Sequence, residues 1–186
     1  VTRARGVAQA WIEAVADDPE ATSALAVARE RLAAGRSLVG LRRFRLFELT
    51  GPLPARDALE ELFHRSTQFY NPHKERCAVR IGKDAAPLGR ADERLILVVD
   101  RDGARRAAAE RWWRHETGRE VEVREAVVWA LEFASGAPAD ALADELAILR
   151  DRRHGLFCNP HAQRARTSGP QAPLPWIVVG PRGDAA

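Results

Sequence analysis

Phe157-Cys158-Asn159-Pro160-His161-Ala162-Gln163-Arg164 repeats an earlier stretch, Phe69-Tyr70-Asn71-Pro72-His73-Lys74-Glu75-Arg76. Each reads Phe-x-Asn-Pro-His and reaches an Arg three residues after the His. One Asn-Pro-His arises by chance. Two, each closing a matched amphipathic segment, mark an internal repeat, and a repeat decides the fold. Upstream, Pro54-Ala55-Arg56-Asp57-Ala58-Leu59-Glu60-Glu61-Leu62 returns 84 positions later as Pro138-Ala139-Asp140-Ala141-Leu142-Ala143-Asp144-Glu145-Leu146. At the same offset Trp11 to Pro19 lies over Leu95 to Gly103, Val39 over Val123 and Glu48 over Glu132. Four extra residues separate the second helix from its Asn-Pro turn.

Each copy predicts the order β-α-β-α-β. In the second, Arg94 to Asp100 is a short apolar run bounded by charge, a strand. Ala104 to Thr117 is rich in Ala, Arg and Glu and stops at Gly118, a helix with a glycine at its end. Glu120 to Ala134, with its Val, Trp and Phe, predicts a long strand. Pro138 starts a helix that runs to about Gly155, with Leu142, Leu146 and Leu149 on one face. Asn159-Pro160 breaks the chain, since proline cannot continue a helix. Ala162 to Ser168 follows as an exposed strand. The first copy predicts strands at 10–16, 38–49 and 76–82 and helices at 20–34 and 54–69, although Val7 to Val15 also suits a helix.

The expected fold class is therefore α+β: two tandem ferredoxin-like β-α-β-α-β units packed with pseudo-two-fold symmetry. A three-stranded unit leaves edges bare, and pairing two units, edge to edge or face to face, relieves this. The units span 1–83 and 92–169, joined by a linker at 84–91 that holds Pro87 and Gly89. Residues 170–186 form an extended tail, with Trp176 to Val179 as a short strand closed by Pro181-Arg182-Gly183.

Composition narrows the function. The chain has 186 residues, 46% of them hydrophobic, enough for a core of ordinary size. No run approaches the roughly 18 apolar residues of a membrane helix. Val1 to Ala10 holds no apolar stretch of the secretory kind. Two Cys suit reduced thiols in a cytoplasmic setting. The net charge of +3 is small, and Lys occurs only as Lys74 and Lys83. Arg105, Arg106, Arg111, Arg114, Arg150, Arg152 and Arg153 alternate with acids, the pattern of a solvated face more than of a nucleic-acid stripe.

The chemistry-bearing residues cluster on the two repeated turns. His73 with Cys77, and Cys158 with His161, have the spacing and softness of zinc ligands. Their order is reversed between copies, however, and small, semi-buried Cys side chains are the simpler reading. Asn71 and Asn159 suit helix termination and turn capping. His154 beside Arg152 and Arg153 suits a helix C-terminus. Trp112, Trp113 and Trp129 suit core packing. The sequence has no glycine-rich phosphate loop, nucleophile elbow or paired-carboxylate motif, so no catalytic residue is assigned. Asn71, Pro72, His73, Arg76, Asn159, Pro160, His161 and Arg164 are the candidates for contact with a partner or ligand.

The segment Leu142 to Thr167, closing as Gly155-Leu156-Phe157-Cys158-Asn159-Pro160-His161-Ala162-Gln163, resembles the ending of PurS-type units. There a helix closes with Leu-Leu/Phe-x-Asn/Asp-Pro-Val-x-Glu/Gln before the last strand. Val121 to Gly136 fits the preceding strand and turn, and residues 38–81 fit as a second copy. His73 and His161 stand where the family has an apolar residue, and Asp17-Asp18-Pro19 and Asp100-Arg101-Asp102-Gly103 are only traces of its first turn. PurS is the small, non-catalytic subunit of bacterial phosphoribosylformylglycinamidine synthase. The resemblance implies a chain that bridges a PurL-type synthetase and a PurQ-type glutaminase in purine biosynthesis. It implies no cofactor on this chain, with ATP, magnesium and glutamine handled by the partners. The alternative from the residues themselves is a stand-alone tandem module that binds a small anionic ligand or RNA through its Arg-rich edges, nucleic acid being the less expected partner.

Overall fold

The computed structural model describes residues 6–82, 88–102 and 105–177. In chain order they form β1 (Gly6–Ala14), α1 (Pro19–Arg31), a 3-10 turn (Ala34–Ser37), β2 (Leu38–Gly51), α2 (Arg56–His64) and β3 (Glu75–Ile81). β4 (Glu93–Asp100), α3 (Ala107–Thr117), β5 (Glu122–Phe133), α4 (Ala139–Ala147) and β6 (Gln163–Ser168) follow. The strands build one six-stranded sheet in the order β3-β1-β2-β5-β4-β6, with every neighbouring pair antiparallel. The α+β class holds, and the two stretches of chain meet edge to edge through the long β2–β5 ladder.

Alternation along the strands gives the sheet two faces. All four helices cover one of them, over two apolar clusters. One cluster joins Ala28 and Leu32 of α1 to Ile96, Leu131, Phe133 and Leu146. The other joins Phe47, Leu59, Phe63 and Phe69 to Ala109 and Trp113 of α3. The first helix of each half thus lies in a core whose other helix comes from the opposite half. Trp113 is buried, as expected of a core residue, while Trp112 and Trp129 pack against the clusters half-buried.

On the second face a third cluster gathers Trp11, Phe44, Leu46, Leu95, Leu97 and Val128. The chain after β6 crosses over it. Ala172, Leu174 and Trp176 are buried, and Trp176 stacks on Trp11 at 6.3 Å between ring centroids. Trp176 and Ile177 lie outside any strand, which corrects the expected tail strand. Val178, Val179, the Pro181–Gly183 closure and linker residues 84–87 lie outside the described residues.

Several boundaries differ from the sequence reading. Val7 to Ala14 is strand, and β1 starts at Gly6. α2 stops at His64, and Ser66 to Tyr70 forms a turn that tucks Phe69 into the core. α4 stops at Ala147, with Ile148 extended at φ −116° and ψ 122°. The chain then doubles back, so that Ile148 bridges Cys158 and Leu149 N–H donates to the Cys158 carbonyl at 2.9 Å. Gly155 permits this return. Its φ is +78°, and a Cβ there would lie 1.7 Å from the Ile148 carbonyl oxygen. Leu149 is therefore 42% exposed rather than part of the buried stripe. His154 sits beyond the helix and bonds the Asp151 carboxylate at 2.9 Å, which corrects its reading as a helix-end cation. Pro138 is the residue before α4 rather than inside it. Gly118 ends α3 at φ +64°, as the sequence predicts. No helix among the described residues is long and apolar enough to cross a membrane.

Candidate functional site

Each Asn-Pro-His turn hangs from a buried aromatic ring two residues before its Asn. Phe69 is fully buried, edge-on to Phe47 at 5.3 Å and to Phe63 at 4.8 Å. Phe157 packs against Trp129 at 4.9 Å. From that anchor the two turns follow the same hydrogen-bond pattern. Asn71 Oδ1 accepts from His73 N–H at 3.0 Å, and Asn159 Oδ1 accepts from His161 N–H at 3.1 Å. The Asn71 carbonyl accepts from Lys74 and Glu75, and the Asn159 carbonyl from Ala162 and Gln163. Asn71 N–H donates to Glu75 Oε2 at 2.7 Å, and Asn159 N–H donates to Gln163 Oε1 at 3.2 Å.

Both turns are also tied to the strand beside them. Val15 N–H donates to the Lys74 carbonyl at 2.9 Å, and Arg101 N–H to the Ala162 carbonyl at 2.8 Å. The strand ladders then begin alike, with Ala14 facing Glu75 and Asp100 facing Gln163. The Asn side chains thus cap their turns, as their residue type predicts. His73, Arg76, His161 and Arg164 are exposed, as is Pro72, while Pro160 is half-buried. Each turn therefore displays an imidazole and a guanidinium on a backbone fixed from behind.

The two turns do not meet. One leads into edge strand β3 and lies beside the end of β1, the other leads into edge strand β6 and lies beside the end of β4. β1 and β4 run in opposite directions, so the turns occupy diagonally opposite corners. Five strand spacings alone separate the edges by about 24 Å. The four zinc-ligand candidates consequently fall in two pairs, His73 with Cys77 and Cys158 with His161, that do not converge. Among the described residues no group of three His, Cys, Asp or Glu side chains is placed to hold a metal. Burial, and then the charge of Glu60, push the Cys77 thiol up to about 12. Burial raises Cys158 as well. Neither thiol has the lowered pKa of a nucleophile.

Charged groups that the sequence reading passed over converge behind the first turn. Glu75 accepts from Arg45 Nη2 at 2.8 Å, and Arg45 also donates to the Phe69 carbonyl at 2.9 Å. Next to it Arg43 bonds Asp18, the N-cap of α1, at 3.3 Å and Glu20 at 2.9 Å. Ile12, Ala14 and Pro19 complete a cleft of about 320 Å3 lined by these five charged residues. The second turn is supported differently: Val127 faces Arg45 across the β2–β5 ladder, Gln163 takes the place of Glu75 and donates to the Asp100 carboxylate at 3.1 Å, and Arg101 Nε donates to the Pro160 carbonyl at 3.0 Å. Adjacent to it, Glu125 bonds Arg106, the N-cap of α3, at 3.1 Å. An Arg on β2 with an acid at one helix start is thus matched by an acid on β5 with an Arg at the other.

The second face carries a buried polar group as well. Glu48 is fully buried and accepts from Gln9 Nε2 at 2.5 Å, from Trp176 N–H at 2.9 Å and from Ile177 N–H at 3.2 Å. Arg42 grips the buried Glu93 with two bonds, at 2.8 and 2.9 Å. Burial alone would raise the Glu93 pKa, but the Arg42 bonds and Arg90 N–H outweigh it and hold it below the ordinary carboxylate value.

Comparison with family models, with curated proteins and with solved structures finds no match for this chain.

Proposed function

We propose that the chain is a tandem pair of ferredoxin-like units related by a pseudo-two-fold axis, serving as a non-catalytic, PurS-like assembly subunit. The strand order β3-β1-β2 followed by β5-β4-β6 supports the pairing, since it reads alike from either edge. The matching bonds of the two turns, the Phe47–Phe69 and Trp129–Phe157 contacts, and the two helix-start ion pairs support it further. In this reading Ala14 corresponds to Asp100, Phe47 to Trp129 and Asn71 to Asn159. The offset therefore varies along the chain rather than holding at the 84 positions that the sequence suggests.

The observation that carries the function is the placement of the two turns. Two rigid, solvent-facing turns of one design stand at opposite corners of a single sheet. A body of that shape holds two partners apart at a set distance. The resemblance to PurS-type endings makes those partners a PurL-type synthetase and a PurQ-type glutaminase in the cytoplasm, with ATP, magnesium and glutamine bound on their side. His73 and His161, with Arg76 and Arg164, would then form the contacts. Co-purification of the chain from its native host tests this. Recovery with both subunits is the expected result. Recovery with neither, from cells that express both, overturns it.

A further inference from the structure

Five side-chain polar atoms among the described residues are buried without a hydrogen-bond partner. Three of them sit at one end of the second face: Arg80 Nε, Arg80 Nη1 and Thr50 Oγ1. Register places them there. Arg80 of β3 faces Gln9 of β1, Gln9 faces Glu48 of β2, and Thr50 lies two residues beyond Glu48 on the same face. Their Cα atoms are about 12 Å apart across two strand spacings, a gap that one arginine side chain and one small oxyanion would bridge together.

Arg80 is only 4% exposed, and burial lowers its pKa, with Glu48 the counter-charge that opposes the shift. A buried guanidinium with unmet donors is costly, and such a group calls for a specific occupant. Glu48 does not fill that role by hydrogen bonding. Its Oε2 already accepts from Gln9, Trp176 and Ile177. The two orphan groups have donor protons in common: N–H on Arg80 and O–H on Thr50. β3 is an edge strand, so Arg80 reaches this face from the rim of the sheet.

We propose that this end of the second face is an oxyanion site, with Arg80 and Thr50 as its donors and a phosphate group as its ligand. Phosphate suits it because several acceptor oxygens can answer donors arriving from two strands, and because charge-assisted bonds to Arg are the strong ones. The site lies on the face opposite the helices and uses no residue of the two turns. It stands or falls apart from the assembly reading.

Titration calorimetry with inorganic phosphate at constant ionic strength, against chloride, tests the proposal. The wild-type chain should give saturable one-to-one binding. Arg80→Met should weaken it by at least roughly tenfold, the loss expected of a charged hydrogen bond. Thr50→Val removes only the hydroxyl, keeps the fold and should weaken binding by a few-fold. No saturable heat in the wild-type chain overturns the proposal. So does binding that Thr50→Val and Arg80→Met leave unchanged, which would place the phosphate elsewhere. If Arg80→Met does not fold, Arg80→Lys, which keeps the charge and loses the planar fork of donors, replaces it with the same expected direction.

Discussion

The two corner turns share a backbone design and differ in what holds them. Behind Asn71 the support is ionic: Glu75 bonds Arg45, and Arg45 lies over the Phe47 ring at 5.8 Å. Behind Asn159 a carboxamide stands in place of the carboxylate: Gln163 Nε2 donates to the Asp100 carboxylate at 3.1 Å, Arg101 Nε donates to the Pro160 carbonyl at 3.0 Å, and Trp129 packs on Phe157. The helix starts differ in another way: both carry an ion pair, Arg43–Asp18 in one half and Arg106–Glu125, with the charges exchanged, in the other. Backbone hydrogen bonds define these turns, and several side-chain solutions satisfy them. The solutions differ in their response to pH and salt. A carboxylate answering an arginine is charged at both ends, whereas a carboxamide answering a carboxylate is charged at one and is less sensitive to salt.

The largest expected effect separates the two aromatic anchors. Phe69→Ala should cost about 4 kcal/mol in chemical denaturation, because Phe69 is fully enclosed by Phe47, Phe63, Trp112 and Trp113. Phe157→Ala should cost clearly less, since Phe157 is 9% exposed and has Trp129 as its aromatic neighbour. Equal losses would mean that the halves are anchored alike.

The Arg42–Glu93 pair comes next. Glu93 is 1% exposed, and Glu93→Gln should cost roughly 2 kcal/mol at neutral pH by removing the buried one of Arg42's two counter-charges, Glu13 remaining at 3.2 Å. Because the folded-state pKa of Glu93 is depressed, its contribution is present above the unfolded carboxylate value. It is lost as pH falls through the lowered folded value. Acid titration of stability should therefore be shallower in Glu93→Gln than in the wild-type chain, and parallel curves would exclude Glu93 as the source.

Exchange of the turn supports gives a smaller effect. Glu75→Gln should destabilise by about 1 kcal/mol, because Arg45 loses its counter-charge and one of its two acceptor oxygens on that side chain. That loss should shrink in high salt. Gln163→Glu, which sets a carboxylate beside Asp100, should cost a few tenths of a kcal/mol and recover at acid pH. Matching salt responses would erase the contrast. Smallest of all is the coupling of Arg43 with Asp18 in a double-mutant cycle. Both side chains are partly solvated, so about 0.5 kcal/mol is expected.

Much of this was legible in the sequence. The doubled Phe-x-Asn-Pro-His stretch led to the element order, because proline and asparagine act locally. Gly118 marked a helix end for the same reason. Helix ends set by distant contacts were not legible. Leu149 continues the apolar spacing of α4, yet Gly155 lets the chain return to pair with Ile148 and turns Leu149 outward. Phe69 reads as helix and is instead held in a turn by the core. Gln9, Glu48 and Arg80 alternate with apolar residues, which in a strand signals a solvated face. All three are buried, Glu48 where the chain after β6 returns over that face, a contact 128 residues away from it in sequence. Arg43 and Arg45 were missed because their partners Asp18 and Glu75 lie on other elements.

The most direct test of the proposed bridging role is sedimentation of the chain mixed with PurL-type and PurQ-type subunits from its own host, with ATP, magnesium and glutamine present. The account predicts one boundary containing all three chains, which His73→Glu together with His161→Glu dissolves without unfolding the sheet. A wild-type chain that sediments alone in that mixture contradicts it.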